Sequence, residues 1–348
     1  MSDIAILAID ATVKSVILIV VLLTGFAYGT WLERRFIARI QVRIGPNRAG
    51  PFGLLQPVAD GLKLFVKEDV IPLGADKILF TLAPVITAIP ALIVLAVVPI
   101  GEQVNLFGYT TTLGIADINV GVLYIMAVTS ISVYGIVLAG WASANKYAML
   151  GGLRSSAQMI SYELAMGLSI LAPVMMTGSM SLGDIIRAQQ NTWFIFLQPI
   201  AGIIFIITML AETNRAPFDL PEAEQELTAG YITEYGGMKF AAFFMAEYMK
   251  MIAVSVIAAS LFFGGYQFTI PFTNIQLHTL LGGWMAPFIL GAKVVASLMF
   301  MIWLRATLPR IRYDRLMAFG WKVLLPLSLA NAVVTAVLVA LDVFPSFG

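Results

Sequence analysis

Cysteine is absent from this 348-residue chain, and His278 is its only histidine. Thiolate-held iron–sulfur clusters, zinc sites built from Cys and His, and His-ligated haem are therefore excluded within the chain. We expect no bound metal and no redox cofactor here, so any electron transfer must take place on another subunit.

Charged side chains are also scarce. They make up 12% of the sequence, against roughly a quarter in soluble domains. Hydrophobic residues make up 59%, and the mean hydropathy is +0.90. The apolar runs are long and show no period-2 alternation, which excludes a β-barrel. The composition therefore predicts an all-α, polytopic membrane protein, and the net charge of +1 indicates nothing about its partners.

Eight apolar runs have close to the ~20 residues that a helix needs to cross a bilayer. They are Ser15–Leu32, Ile78–Pro99, Ile118–Ala144, Ser156 to about Thr177, Ala188–Leu210, Lys239–Phe263, Gly283–Leu304 and Val323–Leu341. Acidic residues and Lys14, rather than a basic segment, precede the first run, so we expect a retained helix and not a signal peptide. We interpret residues 1–348 as a single integral membrane domain.

A shorter amphipathic segment follows the first run. Apolar residues recur at helical spacing between Leu54 and Val66, with polar residues on the other side. About 15 residues are too few to span a bilayer, so this pattern predicts a helix that lies on the membrane surface. A solvated connector is the alternative.

The basic residues predict the orientation. Apart from Lys14, Arg187, Lys250 and Lys293, every Lys and Arg falls in one of four segments, at about 33–77, 145–155, 211–239 and 305–322. These segments alternate with the others along the chain, and the positive side of a membrane protein is cytoplasmic. We therefore expect cytoplasmic loops there and both termini on the outer side.

Acidic residues concentrate between the fifth and sixth runs, in the stretch Ala211–Tyr248. Seven of the chain's 20 acidic residues lie there: Glu212, Asp219, Glu222, Glu224, Glu226, Glu234 and Glu247. Carboxylates wedged between membrane segments are costly to desolvate, which favours a functional role over a merely solvated face.

Some charges fall inside the runs themselves. Glu247 lies roughly 13 Å into the sixth run and could pair with Lys250, three residues further on the same helix face. Glu163 lies about two turns into the fourth run, and Lys293 in the seventh is a further candidate counter-charge. A line of such sites suits proton transfer, whereas a structural ion pair that stabilises helix packing is the alternative.

Four motifs resemble one family closely. ERRFIARIQVRIGPNRAGPFGLLQPVADGLKLFVKE, SYELAMGLS, AETNRAPFDLPEAEQELTAGYITEY and RATLPRIRYDRLM are similar to the membrane subunit that lines the quinone tunnel of respiratory complex I, the proton-pumping NADH:quinone oxidoreductase. The resemblance runs from about Trp31 to Trp321, in the same order. The family has no redox centre on this subunit, in agreement with the missing cysteine.

The resemblance implies roles for particular residues. Residues that would border the quinone tunnel and its entrance are Glu33, Arg34, Arg43, Asp219, Glu222, Glu224, Glu226, Arg305, Arg310 and Arg312. Residues that match the family's proton-relay acids, which lead toward antiporter-like neighbours, are Glu163, Glu234 and Glu247. Lys250 and Lys293 are added to this predicted relay because they are charges inside the runs, not because of the resemblance. The amphipathic segment would lie beside the tunnel opening.

The resemblance also implies substrate, partners and location. Ubiquinone would be the substrate, and FMN and iron–sulfur clusters would reside only on partner subunits. Those partners would include peripheral quinone-site subunits and antiporter-like membrane subunits, with no nucleic acid. The chain would be a non-redox subunit without a complete active site of its own, in a bacterial inner membrane or, as the alternative, the mitochondrial one.

Three other functions remain open at this point. The related membrane subunit of an energy-converting hydrogenase or ferredoxin-linked complex shares the expected fold but need not carry a quinone. A stand-alone ion transporter would explain the buried charges, although no inverted repeat is apparent. A structural anchor for peripheral subunits would explain the basic loops but not Glu163 or Glu247.

Overall fold

The computed structural model describes residues 3–101, 103–106, 109–219, 229–268 and 283–343. Helices dominate this part of the chain. Their bounds are α1 (Asp3–Ile40), α2 (Gln56–Val66), α3 (Lys77–Ile93), α4 (Gly121–Ala142), α5 (Lys146–Thr177), α6 (Leu182–Ala188), α7 (Phe194–Leu197), α8 (Pro199–Glu212), α9 (Gly237–Phe262), α10 (Ala286–Thr307), α11 (Tyr313–Phe319) and α12 (Leu325–Ala340). An antiparallel hairpin of β1 (Gln103–Leu106) and β2 (Tyr109–Thr112) lies between α3 and α4.

Seven helical stretches of the described residues are long and apolar enough to cross a bilayer, which confirms the all-α, polytopic class. They are Ala8–Ile40, Lys77–Val97, Gly121–Ala142, Lys146–Thr177, Gly237–Phe262, Ala286–Thr307 and Tyr313–Ala340. The last joins α11 to α12 through a π-helical turn at Gly320–Leu324.

The fifth predicted run is not one long helix, which corrects the expectation of eight such helices. Ala188 ends α6, and the backbone leaves helical geometry at Gln198 (φ −128°, ψ 61°) before Pro199 begins α8. Proline lacks the N–H that would continue the preceding helix, so it separates α7 from α8. The 14 residues of α8 rise only ~21 Å, less than the ~30 Å of a hydrocarbon core.

The helix ends meet on two opposite faces. The face we call the loop face is formed by segments 41–76, 143–145, 213–219, 229–236 and 308–312. Backbone hydrogen bonds run from Asp76 N–H to Ala142 O at the end of α4 (3.3 Å) and from Ile311 N–H to Pro217 O (3.0 Å). On the other face, Thr111 of the hairpin accepts from Lys14 near the start of α1. Thus α1 runs toward the loop face, and α12 runs away from it.

The predicted surface helix is present as α2, on the loop face. None of its residues is buried. Its apolar residues Val58, Leu62 and Phe65 are 57%, 62% and 73% exposed. The predicted amphipathic helix is therefore present and exposed, and its apolar side is available to lipid or to another subunit. Its position on the membrane surface stays a prediction.

Glycine allows close packing of helices around the core. A Cβ on Gly135 of α4 would lie 2.1 Å from Thr87 Oγ1 of α3, and one on Gly151 of α5 would lie 2.6 Å from the Cα of Gly230. Small residues at such crossings let backbones approach and hold helices firmly in lipid. The resulting tight contacts position α4 and α5 beside the acidic segment.

Candidate functional site

Glu33 is the centre of a buried ionic cluster at the loop-face end of α1. The residue is 3% exposed, and its side chain accepts hydrogen bonds from Arg215 Nη1 at 2.8 Å and Tyr248 Oη at 2.5 Å. Arg305 Nη1 also donates to Glu33 Oε1. One carboxylate thereby joins α1 to the segment after α8, to α9 and to α10.

Arg215 connects this cluster to a second carboxylate. Its Nε lies 2.8 Å from Glu247 Oε1, and its guanidinium stands 4.7 Å from the centre of the Tyr248 ring. Burial alone would lower the pKa of Arg215, but the charges of Glu247 and Glu33 raise it above its ordinary value. Arg215 therefore remains a cation held between two acids.

The expected pair of Glu247 with Lys250 is wrong. Lys250 Nζ lies 2.6 Å from Glu212 Oε1, at the end of α8, while Glu247 is paired with Arg215. Glu212 is 1% exposed, and a carboxylate so deeply buried needs a cation close by. Two residues three apart on one helix lie near each other without having to form an ion pair. Glu212 and Arg215, which come from outside α9, are the partners that decide the pairing.

A small cavity with both polar and apolar walls lies beside the two ion pairs. It has a volume of about 40 Å³ and is lined by Glu212, Glu247 and Lys250 together with Thr129 and Ser132 of α4. Such a volume exceeds the ~10–15 Å³ that one water molecule needs. Acids and hydroxyl groups around a space of this size can exchange protons through water.

Glu163 reaches this cavity through the hydroxyl groups of α4. Ser130 Oγ donates to Glu163 Oε1, and Thr129 Oγ1 lies 3.5 Å from the same oxygen. Lys250 Nζ lies 3.4 Å from Ser132 Oγ on the same helix. The structure therefore brings Glu163, Glu247 and Lys250 of the predicted relay together.

Two other predicted relay residues lie elsewhere. Glu234 accepts from Asn145 Nδ2 at 2.7 Å, at the residue that caps the start of α5 on the loop face. Lys293 Nζ donates to the backbone carbonyls of Phe263 (2.6 Å), Gly265 and Gln267, at the C-terminal end of α9. Lys293 thus neutralises the negative end of a helix, and the structure does not place it as a counter-charge to the acids.

The predicted entrance residues divide into two groups. Glu33 and Arg305 belong to the buried cluster. Arg34 pairs with Asp60 of α2 at 2.8 Å, Arg43 donates to Gln41, and Arg312 pairs with Asp314, all on the loop face. Asp219 and Arg310 also lie on this face, in segments 213–219 and 308–312. Glu222, Glu224 and Glu226 fall outside the described residues.

Sequence reasoning missed two residues of this site. Glu212 was only one of seven acids, and Arg215 only one of many loop cations. A signal was present, because Arg215 is the only basic residue between positions 211 and 238, where the acids concentrate. The burial that makes both residues important depends on how α1, α8 and α9 meet, which the sequence pattern does not show.

The sequence matches a family model and several known proteins. The model of the NADH dehydrogenase family matches residues 13–336. The chain is 53% identical over 314 residues to the H subunit of NADH-quinone oxidoreductase from Protochlamydia amoebophila, covering 90% of this chain and 92% of that protein. It is 52% identical over 325 residues to the corresponding protein of Thermomicrobium roseum, covering 90% and 92%. It is also 51% identical over 346 residues to one of two such proteins of Geobacter sulfurreducens, covering 96% of each chain.

Proposed function

The chain belongs to the NADH dehydrogenase family, and we propose that it admits a quinone to the complex and couples quinone reduction to proton translocation. Its relatives are named as subunits of NADH-quinone oxidoreductase. The observation that carries the proposal is the continuous line of buried charges from Glu33 through Arg215 to Glu247 and on to the cavity that Glu247 shares with Glu212 and Lys250.

The quinone enters beside α2. A quinone carries an apolar tail and arrives from the bilayer, so its path must begin at an apolar surface at membrane level. The exposed apolar side of α2 supplies such a surface, and Arg34 joins α2 to α1 through Asp60. Arg34 directly follows Glu33 in the chain, so the entrance adjoins the buried cluster.

Coupling proceeds through Arg215. Quinone reduction takes up two electrons and two protons, so negative charge develops transiently near the loop face. A cation held by two carboxylates responds to that charge by shifting its contacts from Glu247 toward Glu33 and the entrance. Glu247, released from its cation, then takes up a proton from the cavity side.

Electron transfer takes place on partner subunits, where FMN and iron–sulfur clusters reside. This chain has no cysteine with which to hold a cluster. Peripheral subunits therefore dock on the basic loop face and bring the electron donor to the quinone headgroup, while antiporter-like membrane subunits receive the protons. The membrane is the bacterial inner membrane, with the loop face in the cytoplasm and both termini in the periplasm.

A comparison of two activities tests this function. Glu247→Gln preserves size and hydrogen bonding but removes the titrating proton, so purified complex should still oxidise NADH with ferricyanide while quinone reduction and the proton gradient fall together. Glu163→Gln should act in the same direction. Normal proton translocation with both substitutions in fully assembled enzyme contradicts the proposal.

A further inference from the structure

An apolar groove lies between α1, α9 and α10, near the end of α1 that is remote from Glu33. Its volume is about 380 Å³, and Leu18, Leu22, Val256, Leu290 and Val294 contribute to its walls. Lys14 is the only charged residue among the described residues that line it. We call this space the α1 groove.

The α1 groove is elongated along the helices. Lys14, Leu18 and Leu22 follow one another at intervals of four residues, so the α1 wall extends ~12 Å parallel to the helix axis. On the facing side, Leu290, Gly291 and Val294 form a second wall along α10. An apolar space with walls along two membrane-spanning helices fits a hydrocarbon chain.

The rim of the groove carries a pair of opposite charges. Lys14 Nζ lies 2.5 Å from Asp10 Oδ2 and donates to Thr111 Oγ1 at 2.7 Å, and the two charged side chains are 17% and 27% exposed. Lys14 lies ~28 Å along α1 from Glu33, so the rim is at the membrane surface opposite the loop face. An ammonium beside a carboxylate at headgroup level complements the paired charges of a zwitterionic headgroup.

We propose that the α1 groove binds one acyl chain of a phospholipid with an ethanolamine headgroup, taken from the leaflet opposite the loop face. Only 11% of the α1 span is buried within the chain, so this helix packs sparsely on its neighbours. A bound acyl chain completes the packing of α1 against α9 and α10. Those two helices carry Tyr248 and Arg305, the partners of Glu33, so the lipid supports the cluster from the far side of the membrane.

Gly291 allows a direct test of the groove. A Cβ at this position meets nothing within 4 Å, so Gly291→Phe extends into the groove without a backbone clash. The native complex is placed in nanodiscs that contain phosphatidylethanolamine with a photoreactive group on its acyl chain, irradiated, and analysed by peptide mass spectrometry. Label should concentrate on the peptides around Leu18, Val256 and Leu290. In Gly291→Phe it should fall roughly tenfold, because the ring displaces several methylenes of the chain.

Val295→Phe is the matched control, since Val295 lies on α10, is 44% exposed and is not part of the groove wall. It should leave labelling unchanged, and equal thermal melting of the three complexes should show that they remain folded.

Asp10→Asn should increase competition by unlabelled phosphatidylglycerol, because Lys14 then attracts an anionic headgroup more strongly. Label spread evenly over the lipid-facing helices, or undiminished in Gly291→Phe, overturns the proposal. Displacement by a long-tailed quinone and not by phospholipid also overturns it. None of these readouts depends on quinone reduction.

Discussion

At the scale of single residues, Arg215 contacts its two acids through different nitrogen atoms, Nη1 toward Glu33 and Nε toward Glu247. A lysine has a single ammonium nitrogen on a flexible side chain, so it cannot reproduce the two separate contacts of the planar guanidinium. Arg215→Lys should therefore permit assembly yet reduce quinone reductase activity roughly tenfold or more, since the coupling geometry is lost. Arg215→Ala should lower the free energy of unfolding by ~3–5 kcal/mol, because it leaves buried charge uncompensated.

Arg187→Ala provides the comparison for Arg215. Arg187 pairs with Asp184 at the opposite face, and the two side chains are 57% and 45% exposed. Such a surface pair contributes ~0–1 kcal/mol, so thermal melting and both enzyme activities should stay near wild type. Equal losses in Arg187→Ala and Arg215→Ala would show that the buried cluster has no special importance.

The pair of Glu212 and Lys250 separates a proton relay from a structural ion pair. Glu212→Gln leaves the largely buried Lys250 ammonium without its carboxylate, so the yield of assembled complex should fall. Adding Lys250→Met removes that charge and should restore assembly. If the pair also relays protons, the double variant should assemble, reduce ferricyanide normally and still fail to build a proton gradient. Recovery of the gradient in the double variant would assign the pair a structural role only.

At the scale of elements, α2 makes its own prediction. Leu62 is 62% exposed on its apolar side, so Leu62→Glu places a carboxylate where a quinone tail or lipid should lie. Quinone reduction should decline mainly through a higher KM for a long-tailed quinone, with little change for a short-tailed analogue. Lys63→Gln, on the polar side of the same helix, should change neither value. An equal loss for both quinones would place the entrance away from α2.

Periodicity predicted some elements of this fold well and others poorly. The apolar spacing between Leu54 and Val66 identified α2, because one-sided exposure leaves a helical repeat in the sequence. The break before Pro199 was missed, because the residues on both sides of it are apolar while the helical backbone geometry is interrupted at Gln198. The partner of Lys250 was missed for a different reason. Helical spacing shows only neighbours on the same helix, whereas Glu212 comes from another element.

At the scale of the whole molecule, charge and topology agree. The basic segments of the sequence fall on the loop face, to which α1 runs and from which α12 runs away. The buried cluster sits just inside this face, where partner subunits would dock, and the α1 groove lies near the other. The sequence could predict which segments share a face, because basic residues are counted over whole loops and this does not require knowledge of side-chain contacts. The side of the membrane on which that face lies stays a prediction.

The orientation can be measured directly, because the chain has no cysteine to interfere with labelling. Val70, in the connector between α2 and α3, is 66% exposed, and Asp342 follows the end of α12. We expect a membrane-impermeant maleimide applied to intact spheroplasts to label Asp342→Cys but not Val70→Cys. Inverted vesicles should give the reverse pattern, since we expect the basic loop face to lie in the cytoplasm. Val343→Cys, one residue beyond Asp342 and 60% exposed, should label like Asp342→Cys and so control for local reactivity. Labelling of Val70→Cys from the spheroplast exterior would invert the topology, and with it the side from which the quinone-site subunits reach Glu33.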